Sequence, residues 1–254
     1  MPPTIPPSEP SAHRYAIYFA PPPDSPLGRA GAHWLGRCAA TGQARPQPAL
    51  PLPAPGALHH LTRDPRRYGW HATLKAPFTL AEGLAPSDLR RAVQALAATR
   101  QPFELPPLAP HWLGHFLALV PDPAQQAHPG CAALNALAAA CTTELHPLAQ
   151  PLSDAELARR RQKSTLSPAQ DQYLQRWGYP HVLDRYRFHL TLSDSLAPNP
   201  EGRGAPAALR QALTQAAQAH FADLPAGRCT HLVVFAEPAP GADFQWFDAV
   251  ELGR

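Results

Sequence analysis

One short phrase, His-x-Thr-Leu, occurs twice in this chain: in "GWHATLKAPF" at Gly69–Phe78 and in "RFHLTLS" at Arg187–Ser193. The surroundings repeat as well. Before the first copy come "RYAIYFA", an alternating aromatic strand, and a helical stretch over 25–40 with Asp24 or Ser25 as cap. After it come the helix "APSDLRRAVQALAATR", with a Ser cap, and the weak strand "FELPPLAP". The second half runs in the same order: strand 115–122, helix 129–148, motif strand 185–193, helix 205–224, then strands 229–237 and 244–252. The helix after each motif shares a phrase, "LRRAV" and "LRQAL". A repeat of this size is too long for a solenoid unit and constrains the fold. It predicts an α+β protein of two pseudo-symmetric lobes, antiparallel sheet with flanking helices, around a central cleft. The repeats cover about 14–110 and 111–254, with a helical insertion at about 150–180 whose second helix is capped by Ser167 with Pro168 at its first position.

At 254 residues the chain can bury a full core, so residues 13–254 are expected to form one domain. Its 34 prolines gather in "MPPTIPPSEP" and "RPQPALPLPAPG", which read as a disordered tail over 1–12 and a stiff loop. No apolar run approaches a membrane span and no signal pattern opens the chain, so a cytoplasmic protein without membrane partners is expected. Cys38, Cys131, Cys141 and Cys229 form no C-x-x-C pair and read as reduced thiols; no metal or other cofactor is implied. A formal charge of +3 suits an anionic substrate without requiring nucleic acid. With 13 histidines, a lone His means little, and only the pairing gives two of them weight.

Strand alternation puts His71, Thr73 and Lys75 on one face, with Ala72 and Leu74 turned to the core. In the second copy Arg187, His189, Thr191 and Ser193 share a face, opposite Phe188, Leu190 and Leu192. Packing alone would preserve the apolar face of a repeated strand, not the polar one. Two imidazoles with pKa near neutrality can act as a general base and a general acid. Hydroxyls and cations can hold the non-bridging oxygens of a phosphoryl group. The set therefore points to phosphodiester hydrolysis without a metal: His71, His189, Thr73 and Thr191 catalytic, Lys75, Arg187 and Ser193 binding substrate.

Elsewhere, Arg159, Arg160, Arg161 and Lys163 cluster in the insertion and read either as a solvated helix face or as a flank that attracts a polyanion. Arg66, Arg67 and Tyr68 lie just before the first motif, and Tyr68 or Tyr18 is the candidate for stacking on a base or sugar. The adjacent His59 and His60 read as surface residues. There is no G-x-x-x-x-G-K-[ST] loop, no G-x-G-x-x-G and no H-E-x-x-H.

The chain resembles the two-histidine (2H) phosphoesterase superfamily, and within it a phosphonate-metabolism, DUF1045-like branch. The carrying residues are "RYAIYFAPP", "RRYGWHATLKAPF", "RWGYP" and "YRFHLTLS". The resemblance implies a bilobal fold with His71 and His189 as acid and base, Thr73 and Thr191 on phosphate oxygens, and a small phosphorylated metabolite of phosphonate breakdown as substrate of a monomeric cyclic phosphodiesterase. An RNA end bearing a 2′,3′-cyclic phosphate is the alternative partner. A non-catalytic phosphate- or nucleotide-binding module is the other reading.

Overall fold

The computed structural model describes residues 12–52, 56–162, 165–198 and 205–253. The tail expected over 1–12, apart from Ala12, lies outside the described residues, as do 53–55 of the Pro-rich loop and Lys163. The fold is α+β, with antiparallel sheets and helices against them. In chain order the elements are β1 (Arg14–Phe19), α1 (Pro26–Leu35), α2 (Ala57–Leu61), α3 (Arg63–Tyr68), β2 (Ala72–Phe78), α4 (Pro86–Ala98), β3 (Phe103–Glu104), β4 (Leu108–Leu113) and β5 (Phe116–Pro121). There follow α5 (Pro129–Glu144), α6 (Asp154–Gln162), α7 (Pro168–Trp177), β6 (Leu190–Thr191), α8 (Ala207–Phe221), β7 (Arg228–Cys229), β8 (His231–Glu237) and β9 (Gln245–Glu251).

Among the described residues one sheet runs β2-β1-β8-β9, a second β4-β5-β6, and β3 pairs with β7. Each motif strand pairs antiparallel with the strand that opens its repeat: Tyr18 opposes Thr73, and Ala118 opposes Thr191. The four-stranded sheet takes β1 and β2 from the first half of the sequence and β8 and β9 from the second. Strand β1 is central and buried on both faces. Tyr15, Ile17 and Phe19 join the main core, while Ala16 and Tyr18 join a smaller cluster with Val233, Phe235 and Phe244. Such a strand reads as a continuous aromatic and aliphatic run.

Helix α1 starts at Ser25, whose hydroxyl accepts from the Gly28 amide at 3.0 Å, and stops at Gly36, which adopts φ 81°. It ends earlier than the expected limit of residue 40. Helix α4 is not capped by serine. Pro86 takes its first turn, and the Asp88 carboxylate instead accepts from the Ala85 amide at 2.9 Å. The expected strand "FELPPLAP" splits, because β3 pairs with β7 whereas β4 turns at Gly114 to form a hairpin with β5. Pro110 is tolerated in β4 because that strand is a sheet edge. Helices α2 and α3 were not foreseen; each is too short to show a helical period. As expected, α7 starts at Ser167, which accepts from the Gln170 amide.

Both motif strands are shorter than their alternation suggests. Strand β2 starts after His71, and β6 holds only Leu190 and Thr191. At the start of each, a histidine ring nitrogen bonds a carbonyl two residues earlier. Among the described residues no helix is long and apolar enough to cross a membrane.

Candidate functional site

The apolar faces of the two motifs meet in one core. Ala72, Leu74, Phe188, Leu190 and Leu192 are all buried there, with Phe19 and Phe188 ring centroids 5.6 Å apart. Long-range bonds fasten the second motif to the first half. The Trp34 indole Nε1 donates to the Leu192 carbonyl at 2.8 Å. Asp194 accepts from the Asp64 amide at 2.8 Å and donates its own amide to Leu61 at 2.6 Å.

The two histidines are held identically. His71 Nδ1 lies 2.8 Å from the Gly69 carbonyl, and His189 Nδ1 lies 2.8 Å from the Arg187 carbonyl. A carbonyl can only accept, so Nδ1 carries the proton in both rings and each neutral Nε2 is left as an acceptor. Gly69 makes the first bond possible. Its φ is 81°, and a Cβ there would sit 2.4 Å from the Ala39 Cβ. The Thr73 hydroxyl lies 3.4 Å from His71 Nε2. Tyr18 stacks on the His71 ring at 3.8 Å and 23°, so this tyrosine supports the imidazole and is itself buried. Tyr68 stacks on Phe244 at 5.0 Å and reaches the cavity wall beside His71.

Two neighbouring cavities receive the polar faces. One, of about 340 Å³, is lined by His71, Thr73, Thr191 and Ser193 with Tyr18 and Tyr68. The other, of about 600 Å³, is lined by His189, Arg187, His181, Arg185 and Tyr186. Thr73, Ala76, Phe116 and Tyr179 border both. The His71 imidazole is lowered to about 4, chiefly by burial and in smaller part by the His189 ring, against the raising effect of its bond to the Gly69 carbonyl. Burial lowers His189 too, helped by His181. Both rings are therefore neutral at pH 7, with bare Nε2 atoms ready to take a proton from an acidic ligand or to pair with it once charged.

Of the residues expected at the site, the structure brings His71, Thr73, His189, Thr191 and Arg187 to these cavities. The Thr191 hydroxyl has no hydrogen-bond partner among the described residues, so it is free for a ligand. Ser193 reaches the wall, but its hydroxyl accepts from the Leu117 amide and donates to the Asp194 carbonyl, each at 2.9 Å. Its hydrogen bonds fasten β5 to the end of β6. Lys75 is not on the His71 face. The pairing of β1 with β2 steps from Tyr18–Thr73 to Ile17–Lys75, so Leu74 is an extra residue that makes a β-bulge. The bulge turns Lys75 to the other side of the sheet, where it lines a different cavity. Arg67 is tied to the buried Glu237 at 2.9 Å, and Arg66 is bonded to the His59 carbonyl at 3.0 Å. His59 and His60 are exposed on α2.

Tyr179, His181, Arg185 and Tyr186 were not singled out from the sequence. Their signal was the stretch from "RWGYP" to "DRYRF", which supplies one wall of the larger cavity. The Tyr186 hydroxyl is buried and has no partner. No group of three or more His, Cys, Asp or Glu side chains placed to hold a metal occurs among the described residues.

A family model described as "Protein of unknown function (DUF1045)" matches residues 73–245. A ribose 1,5-bisphosphate phosphokinase PhnN from Janthinobacterium sp. (strain Marseille) is 39% identical over 248 residues, 94% of this chain and 51% of that protein. A protein of the same name from Laribacter hongkongensis (strain HLHK9) is 37% identical over 232 residues, 91% of this chain and 50% of its own. The chain thus spans about half the length of these curated relatives. Their names are those of phosphokinases, which are transferases. That overturns the expectation of a phosphoric diester hydrolase, whether for a cyclic metabolite or for an RNA end. The error has a physical source: paired imidazoles and hydroxyls specify the handling of phosphate oxygens, not the group that attacks or leaves. With the family model covering well over half of its length, the second motif whole and the first from Thr73 onward, this chain belongs to the DUF1045 family of proteins of unknown function.

Proposed function

We propose that this chain holds a phosphorylated pentose in the cleft between its two His-x-Thr motifs and serves phosphoryl transfer to that sugar phosphate in phosphonate metabolism. One observation carries the reading. Two imidazoles, each fixed at Nδ1 by a carbonyl two residues earlier, sit on neighbouring cavities, with Thr73 on the wall of both and Thr191 on that of His71. Such a pair suits an anion with several oxygens. The threonine hydroxyls donate to non-bridging oxygens. Each Nε2 takes up a proton and then faces the anion as a charged donor. The exposed Arg187 adds a guanidinium at the mouth.

The relatives' name supplies the ligand, ribose 1,5-bisphosphate. The resemblance to a phosphonate-metabolism branch agrees with it. This chain has no G-x-x-x-x-G-K-[ST] loop, so we assign it the sugar-phosphate site and place the phosphoryl donor on the part of the relatives that it does not span. The bilobal architecture of the two-histidine superfamily, as one domain over 13–254, is our reading of the paired strands.

Calorimetric titration of the chain with ribose 1,5-bisphosphate tests the proposal. Saturable binding that weakens tenfold or more in Thr73→Val, Thr191→Val and His189→Ala is the expected result. Binding unaffected by all three, or none in the wild type, would overturn it.

A further inference from the structure

Behind the β-bulge lies a cavity of about 410 Å³ whose wall carries five cationic side chains, Arg14, Lys75, Arg159, Arg160 and Arg176, against one carboxylate, Glu156. Two of the five are accounted for. Arg14 is paired with Glu237 at 2.6 Å, and Arg159 lies 3.9 Å from Glu156. The other three have no carboxylate within ion-pair distance among the described residues. Lys75 is 5% exposed, and its ammonium lies 5.1 Å from the centre of the Phe78 ring and within electrostatic reach of the buried Cys141 thiol. Arg160 donates to the Gly178 carbonyl, and Arg176 stacks over Trp177 at 4.6 Å.

Burying an amine without a counter-charge is costly. Two further buried atoms on the same wall lack partners, His146 Nδ1 and Trp177 Nε1. The His146 imidazole on this wall is lowered chiefly by burial, and Lys75 and Arg176 add to the shift. Lys75 and Arg176, which no carboxylate pairs, and an unused indole N–H around this cavity are the complement of a compact oxyanion; Glu156 already attracts Arg160 on the same wall. Helices α6 and α7 supply the arginines, and Arg161 locks these helices together through two bonds to Asp171, at 2.6 and 3.0 Å.

We infer that this cavity is a second phosphate-binding site, with Lys75, Arg160 and Arg176 as the charged groups and the Trp177 indole as a neutral donor. It goes beyond the cleft reading and does not depend on it. The cavity touches the smaller cleft cavity only at Ala76, Pro77 and Tyr179 and contains none of the motif histidines or threonines. The phosphate is either the second group of a ligand that reaches around Tyr179 or a separate anion.

The test titrates inorganic phosphate, at low ionic strength, into a His71→Ala/His189→Ala double variant, which disables the cleft. One saturable site is expected to remain. Adding Lys75→Met or Arg176→Gln should weaken it at least tenfold, and Lys75→Arg should recover most of the loss. Thermal melts check that each variant is folded; Arg176→Gln, at a helix end, keeps the test valid if Lys75→Met is not. Phosphate affinity that ignores both substitutions, or no saturable site in the double variant, would overturn the inference whatever becomes of the cleft. Ribose 5-phosphate and ribose 1,5-bisphosphate then separate the two sources. An advantage of the bisphosphate that depends on both Lys75 and His189 identifies one ligand, and its absence identifies a separate phosphate.

Discussion

His71 and His189 carry their protons on the same ring nitrogen because each faces a carbonyl two residues back. Gly69→Ala should disrupt the first of these. It puts a side chain into a backbone region that only glycine occupies readily and drives a Cβ toward Ala39. A loss of about 2–4 kcal/mol in urea unfolding is expected, with the His71 ring released from its carbonyl. The pH dependence follows from burial. His71 falls from 6.5 to about 4 on folding, so below pH 6.5 the unfolded chain binds the proton more readily and stability declines until about pH 4. His71→Gln should flatten that part of the curve of stability against pH; an unchanged slope would show that the ring is not desolvated. Lys75 falls from 10.5 to about 8, chiefly by burial, with the Cys141 thiol acting in the opposite sense. The charged amine thus costs stability below pH 8, and the cost fades between pH 8 and 10.5. Lys75→Met should stabilise the empty protein at pH 7 by about 1–3 kcal/mol, with the advantage gone above pH 10.5. The polar face at His71, Thr73, His189 and Thr191 was legible from alternation alone. Lys75 was not, because a bulge one residue long reverses a side chain and leaves no mark in the pattern.

At the level of elements, the sequence was readable where caps and periodicity agree. Ser25 and Pro26, Ser167 and Pro168, and the alternating run in β1 announced their elements. Strands β3 and β4 were read as one weak strand over 103–110 because the pairing that separates them is not local, and α2 and α3 were missed because five or six residues show no period. What joins the motifs is also invisible in sequence, since it consists of single bonds over long separations. The Trp34 indole on the Leu192 carbonyl is the chief one. Trp34→Phe leaves that buried carbonyl unpaired and should cost about 1–3 kcal/mol. It should also weaken ligand binding, since β6 has only two residues of ladder to hold Thr191. Lost stability with unchanged affinity would mean that β5 alone positions the motif.

For the whole molecule, the sequence repeat indicated two strand pairs, each ending in His-x-Thr, but not how the sheets are completed. Strands β8 and β9 from the end of the chain finish the sheet begun by β1 and β2, a partnership that local pattern does not encode. Composition and motif chemistry led to phosphate, and the wrong reaction was attached to it. The proposed function requires that two imidazoles from distant parts of the chain act on one anion. Proton NMR of the His71 and His189 ring signals, titrated over pH with and without ribose 1,5-bisphosphate, tests this most directly. Both pKa values should rise together when the ligand binds, because each Nε2 gains a proton facing the phosphate. A shift in one ring alone, or in neither, would contradict a shared site.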